Sequence, residues 1–340
     1  MKVSLWLRQV KSLVNKAQVY HVTPSRFAYW VLSRYSFLTA GSRCLGLPST
    51  LWVEVTNACN LQCLICPTGS GTLNRSKAHL NYAQFKQIVD ELEGSLMRIV
   101  FSGYGEPLLN PEIYDMIAYA HKYRIFTEMY TNLLLPDDDA LHSIIESRVD
   151  LLVVAIDLAP EGQNWRYVHS TADNIARVKD RLIRLAELKQ AYHSALPIVR
   201  ISYPITRNNA LLLDQAWQFA QLVRADEFLP KSVNAMVAGK NLREVKEKYV
   251  PEKFDRYSRV KIGSGRCHWP YSAGLIYANG DFAPCCYLAR GEHILGNIFE
   301  QGGVRAVWNS KEYQNFRNCL MHNPESVPYC AQCVERFDTI

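Results

Sequence analysis

From residue 51 to residue 232, short apolar runs alternate with longer amphipathic ones, and that alternation limits the chain to very few architectures. The apolar runs predict six strands, at residues 51–56, 97–101, 126–131, 150–156, 198–205 and 227–232. Helices are predicted between them at 82–93, 112–124, 137–147, 171–190 and 211–223. Asn81 and Gln84 have capping-box spacing ahead of the first of these, and Asn110-Pro111 reads as an N-cap followed by proline at N1. Strands joined through helices run parallel, because a tight hairpin only returns the chain in the opposite direction. The expected fold is therefore α/β. It is a partial (β/α)6 barrel, since the pattern stops near residue 232, short of a closed eight-stranded ring. In such sheets ligand chemistry gathers at the carboxyl ends of the strands.

At its carboxyl end the first strand runs into Cys59-Asn60-Leu61-Gln62-Cys63-Leu64-Ile65-Cys66-Pro67. Of ten cysteines, nine lie within 59–66 and 267–333; Cys44 stands apart and reads as a small buried hydrophobe. No apolar run reaches the roughly 18–20 residues needed to span a bilayer. The first residues are too broken by Lys and Arg for a secretory signal, so a cytoplasmic protein is expected. Thiols stay reduced there, and clustered cysteines then point to metal rather than disulfides. Three thiolates in one short loop leave a zinc ion one ligand short. An iron–sulfur cubane can be held by three cysteines when a small molecule completes its fourth iron. Zinc with a distant fourth cysteine is the alternative.

This loop resembles the signature of the radical S-adenosylmethionine (SAM) superfamily, with Ile65 standing where the family usually has an aromatic residue. The resemblance implies a [4Fe–4S] cluster at Cys59, Cys63 and Cys66 whose open iron binds SAM, and cleavage of SAM to a 5′-deoxyadenosyl radical. After the second strand, Ser102-Gly103-Tyr104-Gly105-Glu106-Pro107 is similar to the family's Gly-Gly-Glu-Pro segment, which meets the SAM amino group; Tyr104 is interposed as a variant residue. By the same resemblance Gly103, Tyr104, Gly105, Glu106 and Pro107 are cofactor-binding candidates, joined by Asn132 after the third strand and Asp157 after the fourth. Read as local structure alone, Asn132 and Asp157 are equally strand-end caps.

Beyond Arg266, two short strands flank Asn279-Gly280, a strong hairpin signal. The spacing Cys267-x12-Gly280-x4-Cys285, followed by Cys330-x2-Cys333, resembles the SPASM/twitch extension of many radical SAM enzymes, as do Leu295-Gly296-Asn297-Ile298 and Trp308. The resemblance implies one fully ligated auxiliary [4Fe–4S] cluster at Cys267, Cys285, Cys330 and Cys333; a four-cysteine zinc ribbon is the alternative. Cys286 follows a ligand directly and faces away from it along a strand, while Cys319 competes for a ligand position. A single auxiliary cluster is similar to the dehydrogenases of amino-sugar and aminocyclitol alcohols, where it can accept the electron of a substrate radical. The hydroxyl proton would then need a base, for which Arg166, Tyr167 and His169 are candidates.

The expected organisation is an arm at 1–48, a barrel at 49–234, a charged bridge at 235–262 and an auxiliary-cluster domain at 263–340. The net charge of +6 resides in the arm: residues 1–53 hold seven Lys and Arg and no Asp or Glu. Val3, Leu7, Val10, Val14 and Ala17 recur at helical spacing, with aromatics following. Such an arm suits an anionic membrane surface or a negatively charged carrier, resembles an organelle transit peptide, or packs on the barrel. It is shorter than the leader-binding domain of peptide-modifying relatives. The expected function is radical oxidation of a small polar substrate, a sugar or cyclitol alcohol, fed by a flavodoxin or ferredoxin and without nucleic acid. Two alternatives stand: a maturase acting on a ribosomal peptide or protein, and a non-catalytic iron–sulfur or zinc scaffold.

Overall fold

The computed structural model describes residues 22–158, 171–233, 242–255, 266–288, 290–331 and 333. Arg166, Tyr167, His169 and residues 1–21 of the arm lie outside them. In chain order the main elements are α1 (Pro24–Leu38), β1 (Thr50–Val53), α2 (Tyr82–Leu92), β2 (Arg98–Phe101), α3 (Ile113–Lys122), β3 (Phe126–Thr131), α4 (Asp138–Glu146), β4 (Leu151–Ala155), α5 (Ala172–Ala191), β5 (Ile198–Ile205), α6 (Leu213–Leu222), β6 (Glu227–Ser232), α7 (Leu242–Tyr249), β7 (Ala273–Ile276), β8 (Phe282–Ala283) and α8 (Lys311–His322).

Eight strands form one sheet in the order β6-β5-β4-β3-β2-β1-β7-β8. From β6 to β7 every pairing is parallel, and only the β7–β8 hairpin is antiparallel. The expected partial barrel is present, but the sheet does not end at β1. The hairpin of the extension adds to it, with Leu51 opposite Ile99 of β2 on one side and Gly274 of β7 on the other. The hairpin turn needs its glycine twice over: Gly280 has φ +89°, and a Cβ there would lie 2.3 Å from the Phe299 ring.

Local signals explain most helix starts. Asn81 and Gln84 form the capping box of α2, and Asp137 and Thr171 cap α4 and α5 with their side chains. Asn110 is buried and serves two ends: its Oδ1 accepts from Glu112 N–H (3.0 Å), a capping-type bond just ahead of α3, which starts at Ile113, while its amide donates to Val55 O (2.9 Å) and Leu80 O (2.8 Å). The apolar faces of α2 to α5 close over the sheet with Leu51, Val53, Ile99, Phe101 and Met129 between them, and burial of this face is the main favourable term.

Candidate active site

The carboxyl ends of β1 to β4 meet at one end of the sheet, and each contributes a segment singled out by sequence. After β1 the cysteine loop closes on itself: Cys66 N–H donates to Cys63 O (3.2 Å) and Leu61 N–H to Cys59 Sγ (3.5 Å). Gly69 packs so closely that a Cβ would sit 2.3 Å from Cys63 N. After β2 the glycine segment is laid along the root of that loop. Glu106 N–H donates to Ala58 O (2.8 Å), and a Cβ on Gly105 would lie 2.2 Å from Thr56 O.

Glu106 is buried and accepts from Thr131 Oγ1 (2.7 Å), Asn132 N–H (2.8 Å) and Leu108 N–H (3.2 Å). Burial pushes its carboxyl up to about 7 against the pull of these donors. The Asn132 side chain in turn donates to Asn60 Oδ1 (2.8 Å), inside the cysteine loop. Asp157, just past β4, is buried and close enough for its charge to raise the Cys63 thiol. Asn132 and Asp157 thus stand at the loop.

All three loop thiols are free and half-buried. Burial, then the charges of Glu106 and Cys66, pushes Cys59 up to about 11, and burial with Cys66 and Cys59 raises Cys63 further. Among the described residues no three His, Cys, Asp or Glu side chains gather tightly enough to hold a single metal ion.

The second set assembles from distant parts of the chain. Burial raises the Cys267 thiol, and Cys285, Cys333 and Cys330 add to the effect, which puts each of these three within electrostatic reach of Cys267. Cys333 N–H donates to Cys330 O (3.3 Å), which closes the Cys-x2-Cys turn. Cys319 is exposed on α8, apart from this group. Cys286 lends its carbonyl to Tyr104 Oη (2.9 Å).

Sequence reasoning missed the joint between the two sites. Glu54 leaves β1 buried, pairs through both oxygens with Arg75 (2.7 and 2.7 Å), and also accepts from Tyr104 N–H (3.1 Å) and Ala278 N–H (3.3 Å). One carboxylate thus ties together the cysteine loop, the glycine segment and the extension hairpin. Gly103 lets the segment pass, since a Cβ there would lie 2.6 Å from Glu54 Cβ. The Arg75 guanidinium lies 4.1 Å from the centre of the Tyr277 ring. The available signal was an acidic residue alone in the apolar run Leu51-Trp52-Val53-Glu54-Val55.

Comparison with known proteins agrees with this geometry. The profile of the radical SAM superfamily matches residues 53–197, and that of the SPASM iron–sulfur cluster-binding domain matches residues 267–334. Mycofactocin maturase MftC of Mycolicibacterium smegmatis is 25% identical over 316 residues, which cover 86% of this chain and 76% of the relative. A tungsten-containing aldehyde ferredoxin oxidoreductase cofactor-modifying protein of Pyrococcus furiosus is 24% identical over 314 residues, 83% of this chain and 86% of that one. The structure of Streptococcus suis SuiB bound to precursor peptide SuiA superposes with a TM-score of 0.64 at 14% identity, covering 90% of this chain and 73% of SuiB. The chain thus carries a radical SAM domain and a SPASM-type extension, the pair of an enzyme working with SAM and [4Fe–4S] clusters, an auxiliary one included.

Proposed function

We propose that the chain is a maturase that modifies a side chain of a ribosomal peptide or protein. The observation that carries this reading is the relationship to a maturase through both domains, over 86% of the chain. A sugar or cyclitol alcohol, the first expectation from the auxiliary site, finds no support among these relatives, and the dehydrogenase reading goes with it.

In this proposal Cys59, Cys63 and Cys66 would hold the cluster that binds SAM, and Cys267, Cys285, Cys330 and Cys333 the auxiliary one; the donor sets fit both. When bound, cluster and SAM supply the radical that removes a hydrogen atom from the substrate. Gly103 and Gly105 let the segment lie directly against Glu54 and the Thr56 carbonyl, which sets its backbone beside the root of the cysteine loop. Glu106, fully engaged by its three donors, holds that segment against β3, and Asn132 orients the loop through Asn60. Asp157, buried past the end of β4, stands within electrostatic reach of Cys63.

The test is anaerobic incubation of the reconstituted, reduced protein with SAM and with short precursor peptides encoded beside its gene. Formation of 5′-deoxyadenosine with a matching mass change in one peptide supports the proposal. Turnover that follows a free sugar and ignores every peptide sinks it.

A further inference from the structure

Helix α1 is inside out. Its inward side carries Arg26, Ser33, Ser36 and Phe37, and its outward side carries Phe27, Trp30, Val31, Tyr35 and Leu38. The exposures decide the matter: Phe27 55%, Trp30 46%, Tyr35 57% and Leu38 61%. Residues 27, 30, 31, 34, 35 and 38 share one face of a helix, so this is a continuous stripe. Among the described residues, eight of the fourteen exposed large hydrophobics lie between Val22 and Leu45. A concentration of this kind on one surface marks an interaction site.

The polar side shows that the orientation is specified. Arg26 is buried and donates to Glu93 O (3.1 Å), Arg124 O (2.9 Å) and Tyr123 O (2.7 Å), the carbonyls that end α2 and α3. Ser33 donates to Leu47 O (3.3 Å), and Ser36 accepts from Leu45 N–H (2.9 Å). Turning the aromatic side inward would strand these buried polar groups, at about 1–3 kcal/mol for each.

We propose that α1 docks the enzyme on an anionic lipid bilayer surface. Two observations select a bilayer over a protein partner. Besides the buried Arg26, residues 1–53 carry Lys2, Arg8, Lys11, Lys16, Arg34 and Arg43 with no acidic residue, which complements an anionic surface. The stripe also has interfacial chemistry. Trp30 and Tyr35 are the ring types that settle at headgroup level, and Arg34 lies within the stripe, its guanidinium 5.4 Å from the centre of the Phe37 ring. No described helix is long and apolar enough to cross a membrane, so the contact is peripheral. The geometry suits an active enzyme. α1 is anchored where α2 and α3 end and β2 and β3 begin, opposite the carboxyl ends that carry the site. Docking leaves the site open to substrate. The inference is independent of whether that substrate is a peptide.

Flotation of the full chain with vesicles of phosphatidylcholine, with and without about one third phosphatidylglycerol, tests it. The wild type is expected to float with the anionic vesicles and to be released as salt is raised. The triple variant Phe27→Ser, Trp30→Ser, Tyr35→Ser should lose vesicle partition by about tenfold or more while keeping its iron content and circular dichroism. Arg34→Glu with Arg43→Glu leaves the apolar face intact and should weaken binding to anionic vesicles only. Absence of flotation, a triple variant that floats like wild type, or equal binding to neutral vesicles would each overturn the proposal. So would a stable dimer that the triple variant breaks, because the stripe would then belong to a second copy of the chain.

Discussion

Glu54 and Arg75 set what a single residue can do here. Both are nearly shielded from water, and their bidentate contact sits under the cysteine loop, the glycine segment and the hairpin together. Burial works against the Arg75 charge, yet hydrogen bonding and attraction to Glu54 raise its pKa overall. Removing the cation alone leaves a buried carboxylate without its counter-charge. Arg75→Met is therefore expected to destabilise the protein by about 3–5 kcal/mol, measured by urea denaturation. Glu106 supplies a pH dependence of opposite origin. Its carboxyl titrates near 7 in the fold against 4.5 ordinarily, so the folded state binds the proton more tightly. The stabilisation from this group is complete below pH 4.5 and is lost as pH rises to about 7. Glu106→Gln should abolish that slope, worth roughly 3 kcal/mol, in unfolding of the cluster-free protein measured across the window.

Among the elements, the segment after β2 is held to the cysteine loop by backbone approach rather than by side chains. A Cβ at Gly105 would meet a carbonyl oxygen of the Thr56 backbone, which has no rotamer with which to give way. Gly105→Ala should cost about 1–3 kcal/mol in stability. It should also weaken SAM binding at least tenfold by calorimetry, while iron content stays near the wild-type value. The elements themselves were largely legible in the sequence. β3, β5 and β6 fall on the expected residues, and the capping box of α2 is present, because these are decided by apolar periodicity and contacts three residues apart. Asn110 does more than its local signal shows: beside the bond from Glu112 N–H to its oxygen, its amide reaches the carbonyls of Val55 and Leu80, one of them 55 residues away. The cysteine sets were legible as spacings. The Glu54 joint was not: Arg75, Tyr104 and Ala278 meet it over 21, 50 and 224 residues, and no local pattern encodes such a meeting. The inward Arg26 of α1 was equally hidden, since the carbonyls of Glu93, Tyr123 and Arg124 that it meets lie 67, 97 and 98 residues away.

For the molecule as a whole, the decisive feature is that the extension adds to the barrel's own sheet instead of hanging from a linker. β7 pairs in parallel with β1, and Tyr104 spans the remaining gap, its N–H on Glu54 and its hydroxyl on the carbonyl of Cys286. The two cysteine sets are thus carried by one continuous framework. If each set holds its own cluster, the sites can be emptied separately. Wild-type protein reconstituted without oxygen should contain about eight iron atoms per chain, and Cys330→Ala with Cys333→Ala should contain about four. Those two residues lie on the Cys-x2-Cys turn near the end of the described chain, far from the Glu54 joint in sequence, so the barrel should keep its fold. The variant should still make 5′-deoxyadenosine from SAM without substrate, because the loop at Cys59, Cys63 and Cys66 is untouched, while substrate modification falls at least a hundredfold. About four irons and a zinc in the wild type would instead identify the second set as a ribbon. Loss of all iron in the double variant would mean that the loop cannot assemble a cluster without its neighbour.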